Sequence, residues 1–336
     1  MPAEWAPREG TLMAWPVRAE AWLNGLEEAR EGYAEVANAI CEAERLIMIA
    51  RSDCIADARR RLSSAIEIWD LAHDDSWMRD NGPTFIVKNS GECAAVKWRF
   101  NAWGEKYRPY DSDDALAPLI LDRMGIRCYN APLVLEGGSI HSDGEVTILT
   151  TEECLLNPNR NPSLSKADIE GYLRDYVGAQ SFIWLKKGIS GDETDGHVDN
   201  VACFVAPGIV AVQTAAEGSS ASTDANAAAL LTARDAAGRH LTVITIPEPP
   251  PRFCRRERLT LSYINYYPVN GGLIVPAFGK DGDAAASAAD DRALSILRNA
   301  YPGRKIVATD GIKIIKGGGN VHCITQQIPA AGRSFS

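Results

Sequence analysis

The sequence lacks the cysteine and histidine spacings that build disulfide frameworks and structural zinc sites. Its 336 residues include five histidines without an H-x-x-x-H spacing, and no two cysteines form a C-x-x-C pair. The eight cysteines are widely separated: Cys41, Cys54, Cys93, Cys128, Cys154, Cys203, Cys254 and Cys323. These absences predict a protein without a metal site, whose thiols stay reduced as they do in the cytoplasm.

Basic clusters and long apolar runs are also missing. The net charge is −9, and the densest basic run, Arg252 to Arg258, is interrupted by Phe253, Cys254 and Glu257. The chain therefore offers no phosphate-binding footprint for nucleic acid. No apolar segment approaches the length of a membrane span, and the first residues lack the basic and apolar parts of a secretory signal. We expect a cytoplasmic protein that binds neither nucleic acid nor membrane. Its net negative charge favours a cationic ligand.

Neither G-x-G-x-x-G nor G-x-x-x-x-G-K-[ST] occurs, so the usual sequence support for a nucleotide-binding fold is absent. With 46% hydrophobic residues the chain can bury a large core. Helical and strand patterns alternate and predict an α/β protein of roughly five repeated units. Residues 5–22 are interpreted as an irregular arm. Helices are predicted over residues 27–43, 53–63, 112–123, 165–177, 224–236 and 284–300. Strands are predicted over residues 45–50, 65–71, 84–88, 93–99, 126–129, 146–150, 181–185, 200–206, 209–213, 241–246, 261–266, 272–276, 304–308 and 312–316.

A run of three glycines, Gly317 to Gly319, stands shortly before Cys323. We interpret the preceding Lys313–Lys316 as the end of a strand, because it is short and β-branched. A turn without side chains allows the backbone to approach a ligand closely, so a thiol placed behind it could act as a nucleophile. The alternative is that Cys323 is a small buried apolar residue, as most free cysteines are.

Three further polar clusters fall at strand ends or loops, where sites are usually built. They contain Asp80, Glu136 beside a double glycine, and the acidic run with His197 and Asp199. His197 and Asp199 are two residues apart, so on a strand they would share a face. The alternatives are a surface salt bridge between Arg79 and Asp80, a turn cap at Glu136, and a solvated or calcium-binding acidic loop.

The combination of a thiol, a histidine and several carboxylates points to a specific chemistry. Two carboxylates can hold a planar guanidinium cation in bidentate fashion. The guanidinium carbon is a poor electrophile, and a thiolate is the strong nucleophile that could attack it. A histidine beside a carboxylate could protonate the departing ammonia and activate water. The set therefore favours hydrolysis of a C–N bond in a guanidine over a papain-like protease, which has no need of so many anions.

With these residues identified, nearly the whole chain closely resembles the agmatine deiminases, members of the guanidino-group-modifying (pentein) superfamily. The stretches that carry the resemblance are Trp15–Pro16, Asp75–Thr84, Arg99–Gly104, Leu135–His141, Thr151–Asn157, Asn159–Pro162, Asp192–Asp199, Ser262–Asn265 and Gly317–Gln327. The resemblance implies a single domain over residues 1–336, folded as a five-bladed α/β propeller of ββαβ modules around a central active site. It also implies conversion of agmatine and water to N-carbamoylputrescine and ammonia in polyamine biosynthesis, without metal or organic cofactor, by a homo-oligomer, expected to be a dimer.

The resemblance also assigns roles to matching positions. Cys323 corresponds to the nucleophile that forms a covalent intermediate, and His197 to the general acid and base. Glu136 corresponds to the carboxylate that orients the histidine and contacts the guanidinium. Asp80 and Asp199 correspond to the carboxylates that hold the guanidinium nitrogens.

Three more positions match substrate-binding residues of the family. Glu193 corresponds to the carboxylate that meets the far amine, Trp77 lines the channel, and Gly318 or its neighbour Gly319 offers backbone contacts. An acidic residue at the tail favours agmatine, because arginine would need a cation for its carboxylate. Three alternatives stay open: a deiminase acting on another guanidine such as arginine, an amidinotransferase, and a non-catalytic protein that binds guanidines or polyamines.

Overall fold

The protein has an α/β fold, seen in a computed structural model that describes residues 1–215 and 222–330. The strands are β1 (Arg8–Ala14), β2 (Arg45–Ala50), β3 (Glu67–Asp70), β4 (Thr84–Val87), β5 (Cys93–Arg99), β6 (Arg127–Val134), β7 (Ile140–Ser142), β8 (Thr147–Thr151), β9 (Ser181–Leu185), β10 (Ala202–Ala206), β11 (Ile209–Thr214), β12 (Thr242–Pro247), β13 (Phe253–Cys254), β14 (Glu257–Arg258), β15 (Tyr267–Val269), β16 (Gly272–Ala277), β17 (Lys305–Asp310) and β18 (Gln326–Pro329). The helices are α1 (Leu26–Cys41), α2 (Ile55–Arg61), α3 (Met78–Asn81), α4 (Ala102–Glu105), α5 (Asp111–Met124), α6 (Glu152–Leu155), α7 (Lys166–Val177), α8 (Ser222–Thr232), α9 (Ala284–Ala300) and α10 (Gly311–Ile315). Short 3₁₀ turns occur at Ala19–Ala21, Gly137–Ser139 and Val198–Asn200.

Five sheets in the described part of the chain share one arrangement. In the orders β4-β5-β6, β7-β8-β9, β10-β11-β12 and β15-β16-β17, an antiparallel pair is followed by a parallel strand. A helical crossover precedes each parallel strand, which is what parallel pairing requires. The remaining small sheet is the hairpin of β13 and β14.

The fifth of these sheets is closed by the two ends of the chain. Its order is β18-β1-β2-β3, with β18 antiparallel to β1, so Arg8 lies opposite Pro329. Strand β1 then pairs in parallel with β2 through the α1 crossover. Every residue of β2 except Arg45 is buried, as expected for a strand that is covered on both faces. The same order of two strands, helix and strand therefore recurs, although its first strand here comes from the far end of the sequence.

Local sequence signals explain several helix ends. Helix α7 begins with a capping box in which Ser165 and Asp168 bond each other's backbone, and it ends at Gly178 in the left-handed conformation. Helix α9 begins at Asp283, whose carboxylate accepts from two backbone amides. The amphipathic pattern of α1 places Tyr33 against the core. No helix within the described ranges combines the length and apolarity needed to cross a bilayer.

Two of the predicted elements near the amino terminus need correction. Residues 5–22 are not simply an irregular arm, because they contain β1, which pairs with strands on both sides. Its last five residues are all buried, so the alternation that marks a half-exposed strand is missing from the sequence. The predicted helix over residues 53–63 and strand over 65–71 are present but shorter, as α2 and β3.

Two predicted strands near the carboxyl terminus are wrong. Residues 312–316 form helix α10, which starts where the Asp310 carboxylate caps the amide of Ile312. Helix α10 packs against α1, so tertiary contact overrides the strand preference of its isoleucines. Residues 261–266 form no strand, and the strand begins only at β15. His197 and Asp199 also lie on no strand, since they flank and occupy the turn Val198–Asn200.

Candidate active site

The connections that leave the last strands of the five sheets converge on one buried region. They are the segments after β3, β6, β9, β12 and β17. They contribute Asp80, Glu136, His197 with Asp199, Asn265, and Cys323, in that order, and all six residues are at most 5% exposed. Because each sheet contributes one connection, residues more than two hundred positions apart in the sequence come together.

The Cys323 thiol lies among oxygen and nitrogen atoms from two other connections. Its Sγ is 3.4 Å from Oδ2 of Asp199 and 3.2 Å from Nδ2 of Asn265. Burial, followed by the negative charges of Asp199 and Asp80, raises the pKa of Cys323 well above its usual value. Without a ligand the group is therefore a neutral thiol, and a cation bound to these carboxylates would favour the thiolate.

The three glycines before Cys323 are each required by a close neighbour. A Cβ on Gly317 would lie 2.5 Å from the Trp22 ring, and one on Gly319 would lie 2.6 Å from the Trp77 ring and 3.0 Å from the Cys323 sulfur. Gly318 has a positive φ of 98°, which side chains rarely adopt. The turn thus brings bare backbone to the wall of the cavity, as the sequence predicts.

His197 lies between two carboxylates and faces a glycine. Its Nδ1 is 3.8 Å from Oδ1 of Asp80, and its Nε2 is 3.5 Å from Oε2 of Glu136. A Cβ on Gly138 would lie 2.6 Å from His197 and 3.0 Å from Asp80, so the double glycine makes room for this group of side chains. Burial disfavours charge on the ring, but Asp80 and then Cys154 and Glu136 raise the pKa of His197 well above its usual value. A protonated imidazole at this place can donate a proton to a leaving group.

The three buried carboxylates differ in their ionisation. Burial raises the pKa of Asp80 to about 6, although His197 opposes this. Burial acts to raise the pKa of Asp199 and of Glu136 as well. The hydrogen bond from His322 nevertheless lowers the pKa of Asp199, and the positive charge of Arg160 lowers the pKa of Glu136. Among the described residues, Oδ1 of Asp199 has no hydrogen-bond partner and is free to accept from a bound cation, whereas the unbonded Oε2 of Glu136 faces Nε2 of His197 at 3.5 Å.

A cavity opens in front of Cys323. Its lining residues are Ala21, Trp77, Asp80, Trp103, Tyr107, Glu193, Thr194, Gly317, Gly318, Gly319 and Cys323. The Trp77 ring stacks on Trp22 at 5.4 Å and is held in place as an apolar wall. Glu193 is exposed and accepts a hydrogen bond of 2.9 Å from the Tyr107 hydroxyl. The cavity therefore combines a cation-binding end at Asp80 with a second carboxylate at Glu193.

The structure thus brings together every site residue predicted from the sequence. Cys323, His197, Glu136, Asp80 and Asp199 form the buried group, whereas Trp77, Glu193 and Gly318 line the cavity. The alternative of a surface salt bridge between Arg79 and Asp80 is wrong, because buried Arg79 pairs with Glu4 at 3.0 Å.

Sequence reasoning gave no role to four residues that hold this region in shape. Asn265 bonds the Cys323 sulfur, and His322 bonds Asp199. Trp103 donates its Nε1 to Asp80 at 2.9 Å from a turn in which residues 102–105 all have positive φ. Arg160 bonds Glu136. All four occur in the stretches that resemble agmatine deiminases. The sequence therefore contained a sign that these residues matter, but it could not show which atoms they contact.

Two triplets within the described residues bring possible metal ligands within 4.8 Å of one another. They are Glu4, His141 and His322, and Glu136, Cys154 and His197. In each triplet a buried guanidinium already lies on the carboxylate, Arg79 on Glu4 and Arg160 on Glu136. Since a divalent cation would face an adjacent positive charge, neither triplet fits a metal.

Known proteins match this chain over nearly its whole length. The sequence model of the Porphyromonas-type peptidyl-arginine deiminase family matches residues 1–329. The agmatine deiminase of Pseudomonas aeruginosa (strain LESB58) is 43% identical, with 98% of this chain and 95% of that protein covered. The solved agmatine deiminase of Enterococcus faecalis is 37% identical, with a TM-score of 0.91 and coverage of 98% and 95%. A cysteine-to-serine variant of C. jejuni agmatine deiminase with substrate bound is 27% identical, with a TM-score of 0.86 and coverage of 99% and 96%. The chain therefore belongs to the Porphyromonas-type peptidyl-arginine deiminase family and is similar over nearly its full length to agmatine deiminases.

Proposed function

We propose that this protein is an agmatine deiminase, which hydrolyses agmatine to N-carbamoylputrescine and ammonia through a covalent cysteine intermediate. The observation that carries the proposal is the Cys323 thiol in the lining of a cavity that buried Asp80 also lines, with Asp199 3.4 Å from the sulfur and His197 3.8 Å from Asp80. This arrangement places a nucleophile, a proton donor and anions where a guanidinium can bind.

Binding of the substrate would use both ends of the cavity. The guanidinium would lie between Asp80 and Asp199, whose carboxylates would accept its N–H groups as charge-assisted hydrogen bonds. Trp77 would cover the alkyl chain. The terminal ammonium would meet Glu193 at the exposed end. A carboxylate at that end repels the α-carboxylate of arginine, which supports agmatine as the substrate.

The reaction would then proceed in two steps. The bound guanidinium neutralises the carboxylates that raise the pKa of Cys323, so the thiol loses its proton to solvent and the thiolate sulfur bonds to the guanidinium carbon. His197 gives a proton to one nitrogen, the C–N bond breaks, and ammonia leaves. In the second step His197 takes a proton from water, whose oxygen bonds to the same carbon. The C–S bond then breaks as the hydroxyl proton passes to the departing sulfur, which releases N-carbamoylputrescine and restores the Cys323 thiol, while Glu136 holds the imidazole in place.

We further propose that the five sheets are the blades of one five-bladed propeller, a single domain over residues 1–336 with the site on its axis. Three observations support this arrangement. The five sheets repeat one strand order, and their connections meet at one place. In addition, β18 joins the end of the chain to its first strand, as closure of a ring requires.

Ammonia release tests the activity. The purified protein would be assayed with agmatine and separately with arginine, in the presence of a metal chelator. We expect release from agmatine alone. Release from arginine alone would support the deiminase reaction but contradict the proposed contact between Glu193 and the terminal amine. Release only when an amine acceptor is added would indicate an amidinotransferase, and binding of agmatine without any turnover would indicate a binding protein.

The nucleophile is tested by comparing Cys323→Ala with Cys54→Ala. Cys54 is also buried, but it lies before α2 and outside the cavity. We expect the first variant to lose several orders of magnitude in kcat while it still binds agmatine, and the second to retain turnover. Substantial turnover by Cys323→Ala would refute the covalent mechanism.

A further inference from the structure

His322 lies between two buried carboxylates behind the thiol. Its Nδ1 is 2.9 Å from Oδ2 of Asp199, and its Nε2 is 2.9 Å and 3.0 Å from the two oxygens of Glu4. His322 and Glu4 are 3% and 2% exposed. Although His322 directly precedes Cys323 in the sequence, it does not line the cavity in front of the thiol but a second cavity, which Glu4 and Asp199 also line.

This contact determines which oxygen of Asp199 remains available. Oδ2 accepts from His322 and is 3.4 Å from the Cys323 sulfur, whereas Oδ1 is buried and has no hydrogen-bond partner among the described residues. A carboxylate that is fixed through one oxygen keeps a single orientation. The His322 contact therefore holds the Asp199 carboxylate beside the thiol, where a guanidinium would bind.

Glu4 is fixed in turn by charged neighbours. Arg79 lies 3.0 Å from one of its oxygens, and His141 lies 3.6 Å from the other. The backbone amide of His322 donates to Oδ1 of Asn265 at 3.0 Å, which fixes the residue that carries the ring. The chain of contacts from Arg79 through Glu4 and His322 to Asp199 is thus complete, and all of its members are buried.

A comparison of the two guanidinium-binding carboxylates shows what His322 changes. Asp80 and Asp199 are both fully buried in the same site. Burial raises the pKa of Asp80 to about 6. Burial also acts to raise the pKa of Asp199, but the hydrogen bond from His322 outweighs it and the pKa of Asp199 is lowered. Other titratable groups act on Asp199, namely Asp80, Asp192, His197, Cys203 and Cys323. None of these donates a hydrogen bond to Asp199 as short as that from His322.

We propose that His322 and Glu4 are positioning residues of the deiminase, which act through Asp199 by keeping it ionised and aimed at the guanidinium. This inference rests on the proposed function. Glu4 stabilises the protonated imidazole, and the imidazole in turn holds Asp199. Neither residue touches the substrate, so their effect passes entirely through the binding carboxylate.

The test is the pH profile of kcat/KM for agmatine in His322→Asn and Glu4→Gln. The first substitution keeps a polar side chain but removes the cation, and the second removes the Glu4 charge at nearly constant volume. In His322→Asn we expect the acid limb to steepen and to move up, because Asp199 then titrates together with Asp80. One pH unit below the pKa of Asp80, the second protonation corresponds to about a tenfold further loss of kcat/KM. Glu4→Gln should move the limb in the same direction by a smaller amount.

The matched control is His73→Asn. His73 is equally buried and bonds two backbone carbonyls at 3.2 Å and 2.9 Å, but it lies outside this chain of contacts. We expect it to lower the melting temperature without moving the acid limb. A wild-type acid limb in both His322→Asn and Glu4→Gln would overturn the inference, and Glu4→Gln alone decides if His322→Asn does not fold. Absence of agmatine turnover in wild type and His73→Asn would instead refute the proposed function.

Discussion

Replacing Arg160 with methionine should destabilise the protein and disorganise the site together. The guanidinium donates to Oε1 of Glu136 at 2.8 Å, to the carbonyls of Trp103 and Thr194 at 3.0 Å and 2.9 Å, and to Oδ2 of Asp195 at 2.7 Å. The acceptors belong to three different connections, and neither Arg160 nor Glu136 has an exposed side chain. Methionine keeps the apolar stem but removes all of these hydrogen bonds, although Oδ2 of Asp195 still accepts from Nδ2 of Asn159 at 2.9 Å.

The magnitude follows from the buried ion pair. Removing one partner of a fully buried pair costs about 3–5 kcal/mol, since an uncompensated charge remains in the interior. With roughly 2 °C lost per kcal/mol in a protein of this size, the melting temperature should fall by about 6–10 °C. Since Arg160 also lowers the pKa of Glu136, that pKa should rise in the variant, and kcat/KM should be lost first at acidic pH.

The assay is thermal unfolding followed by circular dichroism, together with agmatine turnover from pH 5 to 9. The matched control is Arg174→Met, because Arg174 pairs with Glu170 at 3.0 Å while its side chain is 47% exposed. Such an exposed pair contributes at most about 1 kcal/mol to the free energy of unfolding, so the melting temperature of the control should fall by about 2 °C or less. Equal losses in both variants would refute the reasoning, because burial would then have no bearing on the cost of losing the pair.

Four further predictions concern the cavity. Gly319→Ala should lower kcat/KM about a hundredfold in steady-state assays, since its Cβ would displace Trp77 or the thiol; wild-type kinetics would contradict this. Glu193→Gln should raise the KM for agmatine roughly fivefold with little change in kcat, as expected for an exposed charge pair; an unchanged KM would place the amine elsewhere. In the wild-type protein kcat/KM should fall below about pH 6, where Asp80 becomes protonated and loses its charge, and a profile that stays flat down to pH 5 would contradict this. Alkylation of Cys323 by iodoacetamide, followed by mass spectrometry, should be slower at pH 8 than that of a free cysteine, because its pKa is raised; faster alkylation would show a preformed thiolate.

The sequence predicted the α/β class and most helices, because those elements carry their own periodicity and caps. It missed β1 as a strand, since a strand buried on both faces shows no alternation. It also could not predict the pairing of β1 with β18, because nothing in a local pattern specifies a partner more than three hundred residues away. Helix α10 was missed for a related reason, as its conformation depends on packing against α1.

For the site, the sequence identified the residues whose chemistry is conspicuous, a thiol and carboxylates beside glycines. It gave no role to Arg160 or Asn265, because neither has a reactive group and their importance lies in acceptors on distant connections. His322 shows the limit most clearly. Residues adjacent in a turn can point in opposite directions, so proximity to Cys323 in the sequence could not show that the ring bonds Asp199 and Glu4.

Closure of the first sheet by β18 has a consequence for synthesis on the ribosome. Cys323 and β18 are translated after all of the other four sheets, and β1 receives its antiparallel neighbour only then. A nascent chain, or one truncated before residue 320, therefore has an incomplete first sheet and lacks the proposed nucleophile. The Cys323 thiol joins the site at the same stage of translation as the strand that completes the first sheet.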